Sequence, residues 1–258
     1  MKSFRRIDIL GCPFDAVSFD ETVESVRSAV LENRQLQVVP GSIDFVMKAR
    51  RDPAFARELR QADLVVADGK PIVWAASLLG DPIRKRVSGT DLVWSCAQVA
   101  HQIGCTVALI GGKFDVTLEA AHRMQSQYPK ARLIPFETPF PLGERENAQL
   151  LDRIRSSGAA IVLAALGAPR QERWVQANLA RSGANVGIGV GSAFDIISGR
   201  NPRAPEWMQT AGLEWFYRML QEPKRLGRRY LIEDSPFLIL LPREIVRRKL
   251  TRLRVAAS

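Results

Sequence analysis

Five short apolar runs, separated by amphipathic segments and closed by glycine or aspartate, constrain this chain more than any other feature. They are residues 36–39 before Pro40-Gly41, 64–67 before Asp68-Gly69, 105–110 before Gly111-Gly112, 160–166 before Gly167, and 185–190 before Gly191. Residues 6–10 and 131–135 read as two further strands, the first of them opening the chain. A helix over 22–32 carries Val23, Val26 and Val30 on one face, and Ser42 can cap a helix bearing Ile43, Val46 and Met47. Pro53 opens another through Leu59, and helices follow over 71–79, 90–103, 114–127, 144–156 and 169–179. Apolar runs of this length between amphipathic helices predict an α/β fold, a mostly parallel sheet with helices on both faces. Beyond about Gly199 the strand signal stops and short helices are expected.

With 258 residues the chain is long enough for one α/β domain, or for a domain of about 200 residues with an appendage. The division expected is 1–200 and 201–258. The net charge is +10, and the last 56 residues, from Arg203 on, carry +6 of it through 12 Lys/Arg against 6 acids. Trp207, Trp215, Phe216 and Tyr217 interleave with these cations. Such asymmetry suggests a polyanionic partner: nucleic acid, an anionic membrane surface, or a phosphorylated substrate. Cys12, Cys96 and Cys105 have no paired spacing and an odd count, which fits a reducing, cytoplasmic setting. The opening residues lack the apolar run of a signal peptide, and the longest late run, 237–241, is far below the roughly 18–20 residues of a membrane span. Contact with a membrane would therefore be peripheral.

Ligands of an open parallel sheet bind beyond the carboxyl ends of its strands. Asp68 should project from one such end, as a general base or as an Asx turn closing the strand. Gly111-Gly112-Lys113 leads from strand to helix, where backbone N–H groups and a lysine could meet a phosphate; a plain turn accounts for it equally, and no Walker motif is present. Gly187-x-Gly189-x-Gly191, expected at the end of the sheet, is not the G-x-G-x-x-G of dinucleotide enzymes, and no acidic residue follows at the required spacing. A nicotinamide cofactor is thus disfavoured, while a nucleotide-phosphate turn remains compatible. In Gly167-Ala-Pro-Arg-Gln171-Glu172, Gln171 could bond a sugar or a base, or simply belong to a solvated helix start. His101 and His122 have no catalytic neighbours in sequence and read as structural. No D-x-D and no metal-spaced cluster is found, so no metal or cofactor is expected, and arginines would have to take up the charge of a leaving diphosphate.

Together the stretches ADLVVADGKPIVWAASLLG (62–80), RVSGTDL (86–92), LIGGK (109–113), GAPRQERWV (167–175) and the long block 187–231 resemble one bacterial glycosyltransferase family. Its members include the teichoic-acid linkage-unit N-acetylmannosaminyltransferase, the enterobacterial-antigen N-acetylmannosaminuronic acid transferase, and related capsule and exopolysaccharide enzymes. The resemblance covers residues 8–231. It implies a Rossmann-like core with a small helical C-terminal appendage that completes the active site. It also implies inverting, metal-independent transfer from a UDP-sugar to a polyprenyl-diphosphate-linked sugar at the cytoplasmic membrane face. Asp68 resembles the family's catalytic base, Gln171 its sugar-proximal glutamine, and Arg225 and Arg228 the arginines that hold the leaving diphosphate, with Arg218 and Arg229 as further candidates. The substrate-binding set expected from the strand-end turns is Ser42, Gly69, Thr90, Gly111, Gly112, Lys113, Gln171, Gly191 and Asp195, joined by Arg203 and Arg218. Many relatives carry Thr-x-Asn where this chain has Pro40-Gly41-Ser42. Proline offers no hydroxyl, so the resemblance does not carry the identity of the transferred sugar.

Residues 242–255 read as a short basic amphipathic helix with Ile245, Leu250 and Leu253 on its apolar side, suited to an anionic lipid surface. The partners expected are a UDP-sugar, a lipid-linked acceptor, the inner membrane face and a second copy of the chain, without nucleic acid. Two other readings remain: a nucleic-acid-binding module, which explains the charge but not five polar turns at successive strand ends, and a nucleotide-sugar-modifying enzyme, which would need a bound nicotinamide.

Overall fold

The computed structural model describes residues 4–256, except for the side chains of Arg225 and of 252–256. Two strands, β1 (Arg6–Ile9) and β2 (Cys12–Asp15), open the chain, followed by helix α1 (Phe19–Leu31). Next come β3 (Leu36–Gly41), α2 (Ile43–Arg51), α3 (Pro53–Gln61), β4 (Leu64–Ala67), α4 (Lys70–Leu78) and α5 (Gly89–Ile103). The alternation runs on through β5 (Thr106–Gly111), α6 (Phe114–Gln127), β6 (Arg132–Phe136), α7 (Glu144–Ser157), β7 (Ala159–Ala165), α8 (Arg170–Ser182) and β8 (Val186–Gly189). Helices α9 (Ala193–Ile197), α10 (Glu206–Thr210), α11 (Glu214–Gln221) and α12 (Pro223–Arg228), a π-helical turn (Arg229–Glu233) and α13 (Pro236–Ala256) complete it.

Strands β3 to β8 form one Rossmann-like parallel sheet in the order β4-β3-β8-β7-β5-β6. Helices α1, α5, α6 and α9 pack on one face, and α2, α3, α7 and α8 on the other. This explains why the runs lack polar alternation. Leu36, Val38, Leu64, Val66, Val107, Leu109, Ile161 and Leu163 enter the first core; Val39, Val65, Ala108, Ile110, Val162 and Ala164 enter the opposite one.

Three sequence expectations need correction. Strand β1 is not part of the main sheet: it pairs antiparallel with β2, which the apolar pattern does not reveal. The buried Asp15 carboxylate accepts from Arg6 Nε at 2.9 Å and from Val65 N–H at 2.7 Å, so the hairpin covers the free edge of β4. Next, β8 is central, between β3 and β7, and not at the end of the sheet. It fits there because Gly187 and Gly189 let α8 approach: a Cβ on Gly187 would lie 2.4 Å from Val175 Cγ1. Finally, the C-terminal region is not limited to short helices. Helix α13 has 21 residues and begins at Pro236, with Phe237, Leu240, Leu241 and Ile245 packed on the core around the hairpin and α2.

The connections from β5 to β6 and from β7 to β8 diverge, and α6 and α8 lie on opposite faces. Strands β5 and β7 therefore flank a topological switch point, where such sheets open a crevice.

Candidate active site at the carboxyl ends of the strands

Because all six strands of the sheet point the same way, their closing turns share one rim. Asp68 closes β4, Ser42 follows β3, Gly191 follows β8, Gly167 follows β7 and Gly111 ends β5. Four strand spacings separate β4 from β5 in that order, about 19 Å at the usual interstrand distance. Asp68 and Lys113 therefore cannot act on the same small group. A reacting centre beside Asp68 lies within reach of the β3 and β8 turns, and Gly111–Lys113 can meet only a distant part of an extended ligand.

The peptide N–H of Asp68 donates to Gly41 O at 2.8 Å, fixing the residue beyond β4. Gly69 follows at φ +115°, a conformation glycine tolerates, and turns the chain into α4. Gly89 N–H donates to Asp68 Oδ2 at 3.4 Å, so this carboxylate meets the first turn of α5 rather than closing an Asx turn. Thr90 is the next residue of that turn. Burial pushes the Asp68 carboxyl up to about 6, helped by the nearby Glu214 carboxylate and opposed by the Gly89 bond, Arg86 and Arg218.

The C-terminal helices reach this rim through arginines. Arg86 bonds Glu214 Oε2 at 2.6 Å and Gln209 Oε1 at 3.1 Å. Arg218 donates to Ser192 Oγ at 2.6 Å, just past Gly191. Arg203 pairs with Asp91 of α5 at 2.7 Å, while its buried Nε has no hydrogen-bond partner. Arg229 lies 3.3 Å from Asp44 Oδ2 and 3.4 Å from Ser42 Oγ. Arg228 is 77% exposed and pairs with Glu233 at 3.3 Å. The side chain of Arg225 lies outside the described residues. Asp195, in α9, is half-buried.

The structure changes how several of these residues can work. Ser42 stands at the N-terminus of α2 without a side-chain capping bond, and its hydroxyl faces Arg229. The N–H of Gly111 is taken by Thr138 Oγ1 at 3.0 Å and that of Gly112 by Ala165 O at 3.1 Å, so neither points to a phosphate. Lys113 stays exposed at the start of α6. Gln171 is buried, and its amide is used within the protein. Oε1 accepts from Gly167 N–H and Gly191 N–H, each at 3.1 Å, and Nε2 donates to Glu172 Oε1 at 2.7 Å. It thereby ties the turn after β7 to the turn after β8. Glu172 is buried with Oε2 unpartnered, and burial pushes its carboxyl up to about 7. His101 accepts from Lys130 N–H through Nδ1, as a structural side chain does.

Arg86, Ser192 and Glu214 join the candidate site without having been singled out by the sequence reading. Arg86 begins the stretch RVSGTDL, whose family resemblance was the available signal; nothing local marks Glu214. Among the described residues, no three His, Cys, Asp or Glu side chains gather as metal ligands would.

The Glycosyl transferase WecG/TagA/CpsF family matches residues 7–251. Curated relatives from Staphylococcus aureus strains MW2 and NCTC 8325 are each 29% identical over 225 residues, covering 86% of this chain and 87% of theirs. Both are named N-acetylglucosaminyldiphosphoundecaprenol N-acetyl-beta-D-mannosaminyltransferase.

Proposed function

The chain belongs to the WecG/TagA/CpsF family of glycosyltransferases, and on that premise we propose that it moves a sugar from a UDP-sugar to a polyprenyl-diphosphate-linked acceptor sugar, with inversion. The observation that carries the assignment is Asp68: a strand-end carboxyl, held by Gly89 N–H and pushed up to about 6, near the guanidinium groups of Arg86 and of Arg218 from helix α11. A group titrating near 6 is ionised at neutral pH yet a better proton acceptor than an ordinary aspartate.

In this reading an acceptor hydroxyl attacks the anomeric carbon from the side opposite the diphosphate. Its proton passes to Asp68, and the bond from the anomeric carbon to the diphosphate oxygen breaks. The electron pair leaves with UDP, whose growing charge is stabilised by arginines such as Arg218, Arg225 and Arg228. The division into a core, 1–200, and an appendage, 201–258, that completes this site belongs to the same proposal, since contacts of Arg86, Arg203, Arg218 and Arg229 join the two parts at the rim. The nucleoside end would extend along the rim toward the β5–β7 crevice, where Lys113 is exposed.

The relatives' names support the acceptor class, an undecaprenyl diphosphate bearing N-acetylglucosamine, and with it a reaction at a membrane surface. No described helix is long and apolar enough to cross a membrane. Exposed Leu231 and Ile232 in the π-helical turn, and Leu238 and Ile239 at the start of the basic α13, suit peripheral attachment to the inner face. The transferred sugar is an N-acetylhexosamine or a hexose; Pro40 and Ser42 leave that choice to experiment.

The test is transfer by the purified full chain from a panel of UDP-sugars to a polyprenyl-diphosphate N-acetylglucosamine, with Asp68→Asn alongside. Wild-type turnover is expected with one donor, and a loss of about 10²–10⁴-fold in the variant with UDP binding retained. Full activity in Asp68→Asn would remove the base assignment.

A further inference from the structure

We infer that Glu214, carried by α11, acts on the reaction through Asp68, as the fixed negative charge that makes this carboxylate a stronger base once α11 is docked. This rests on the assignment of Asp68 as the base.

The segment holding Arg86 runs along the end of β4: Val87 N–H donates to Ala67 O at 2.8 Å, and Gly89 N–H reaches Asp68 itself. Arg86 is thus adjacent to the strand end, and Glu214 sits on its guanidinium at 2.6 Å across 128 residues of sequence. Both side chains are only about a fifth exposed, at 18% and 21%, so water screens their charges incompletely. One turn further along α11, Arg218 is fixed on Ser192. Helix α11 has no buried side chain. These polar anchors, with Trp215 against Tyr230 at 5.7 Å, therefore set its position.

Among the described residues, three charged groups act on Asp68: Glu214 raises its proton affinity, and Arg86 and Arg218 lower it. If α11 contributed cations alone, it would weaken the base it serves while stabilising the leaving group. Glu214 offsets that conflict. It neutralises Arg86, which lies nearest the strand end, and leaves Arg218 one turn along α11. Glu214 is committed to the ion pair with Arg86, so the two carboxylates differ in role: one stays paired and the other accepts the proton. Glu214 is a positioning residue in this scheme, with no contact to substrate required of it.

The experiment is the pH profile of kcat/KM for the full-length chain with Glu214→Gln and Glu214→Asp. Limited proteolysis of residues 206–221 reports whether α11 stays docked. Expected is an acid limb moved to lower pH by about half a unit or more in Glu214→Gln. In Glu214→Asp the limb should stay at its wild-type position, and both variants should be cleaved at the wild-type rate. An unmoved limb in Glu214→Gln overturns the inference. So does a limb that moves only together with faster cleavage, which would assign the effect to undocking. Failure of the underlying base assignment is read separately, as transfer that persists in Asp68→Asn. Loss of transfer in Asp68→Asn with an unmoved limb in Glu214→Gln sinks the role of Glu214 alone.

Discussion

Arg229 of the π-helical turn lies 3.4 Å from the hydroxyl of Ser42, 187 residues earlier, and 3.3 Å from the buried carboxylate of Asp44. The same guanidinium stands 3.6 Å from Asp234, whose Oδ1 is buried without a hydrogen-bond partner. One cation therefore joins the turn after β3 to the C-terminal helices, and it serves two carboxylates. Arg229→Ala should leave Asp234 buried without its cation and free the π-helical turn. The expected cost is about 1–2 kcal/mol, between that of an exposed pair and that of a broken buried one, because Arg229 keeps 27% exposure. Thermal melts, with protease cleavage between residues 221 and 236, measure it.

Gln171 makes a different kind of connection. Its one carbonyl oxygen holds the N–H groups of Gly167 and Gly191, so the ends of β7 and β8 are spaced by a single side chain. Gln171→Ala strips both donors of their partner. A loss of roughly 2–4 kcal/mol is expected, at about 1–3 kcal/mol for each buried group left unsatisfied and with some relief from water. Urea unfolding gives the energy. Faster amide exchange at Gly191 would locate the change, and donor affinity should fall with it. A variant as stable as wild type would show that water replaces the amide at no cost.

Glu172 gives the fold a pH dependence of definite sign. Its carboxyl stands at about 7, above the ordinary 4.5, chiefly through burial and despite the bond from Gln171. The folded protein thus holds this proton more tightly than the unfolded chain does. That contribution to stability is complete below about 4.5 and is lost as pH rises through 7. Asp234, raised to about 6 by burial and by Asp44, acts in the same direction. Glu172→Gln should reduce the fall in Tm between pH 5 and 8 and gain on the wild type above pH 8. Calorimetric scans across that range decide it; an unchanged slope would clear Glu172 of the effect.

Attachment to a membrane can be separated from catalysis at α13. Phe237, Leu240, Leu241 and Ile245 face the core, whereas Leu238 and Ile239 are 73% and 59% exposed. The double variant Leu238→Ser, Ile239→Ser should lower partition onto phosphatidylglycerol vesicles by at least about tenfold, given 1.5–3 kcal/mol for each such side chain fully buried. Transfer to a water-soluble acceptor analogue should continue. Unchanged partition in a co-sedimentation assay would place the contact elsewhere.

The sequence by itself determined the parallel sheet and the rim that carries the candidate site. A strand buried on both faces must be apolar at every position, and strands of one direction bring their closing turns to one side; the runs ending at Gly41, Asp68, Gly111, Gly167 and Gly191 follow from that. The position of Asp68 was legible for the same reason. Only the tertiary structure decided which strands are neighbours. An apolar run records that it is buried and not by what, so the central place of β8 and the β1–β2 hairpin were hidden. It also decided which donors are already committed. Thr138 occupies the N–H of Gly111 across 27 residues, Gln171 that of Gly191 across 20, and Glu214 the guanidinium of Arg86 across 128. Polar groups find partners through space, and no local pattern of residues encodes a contact whose other half arrives from the far end of the chain.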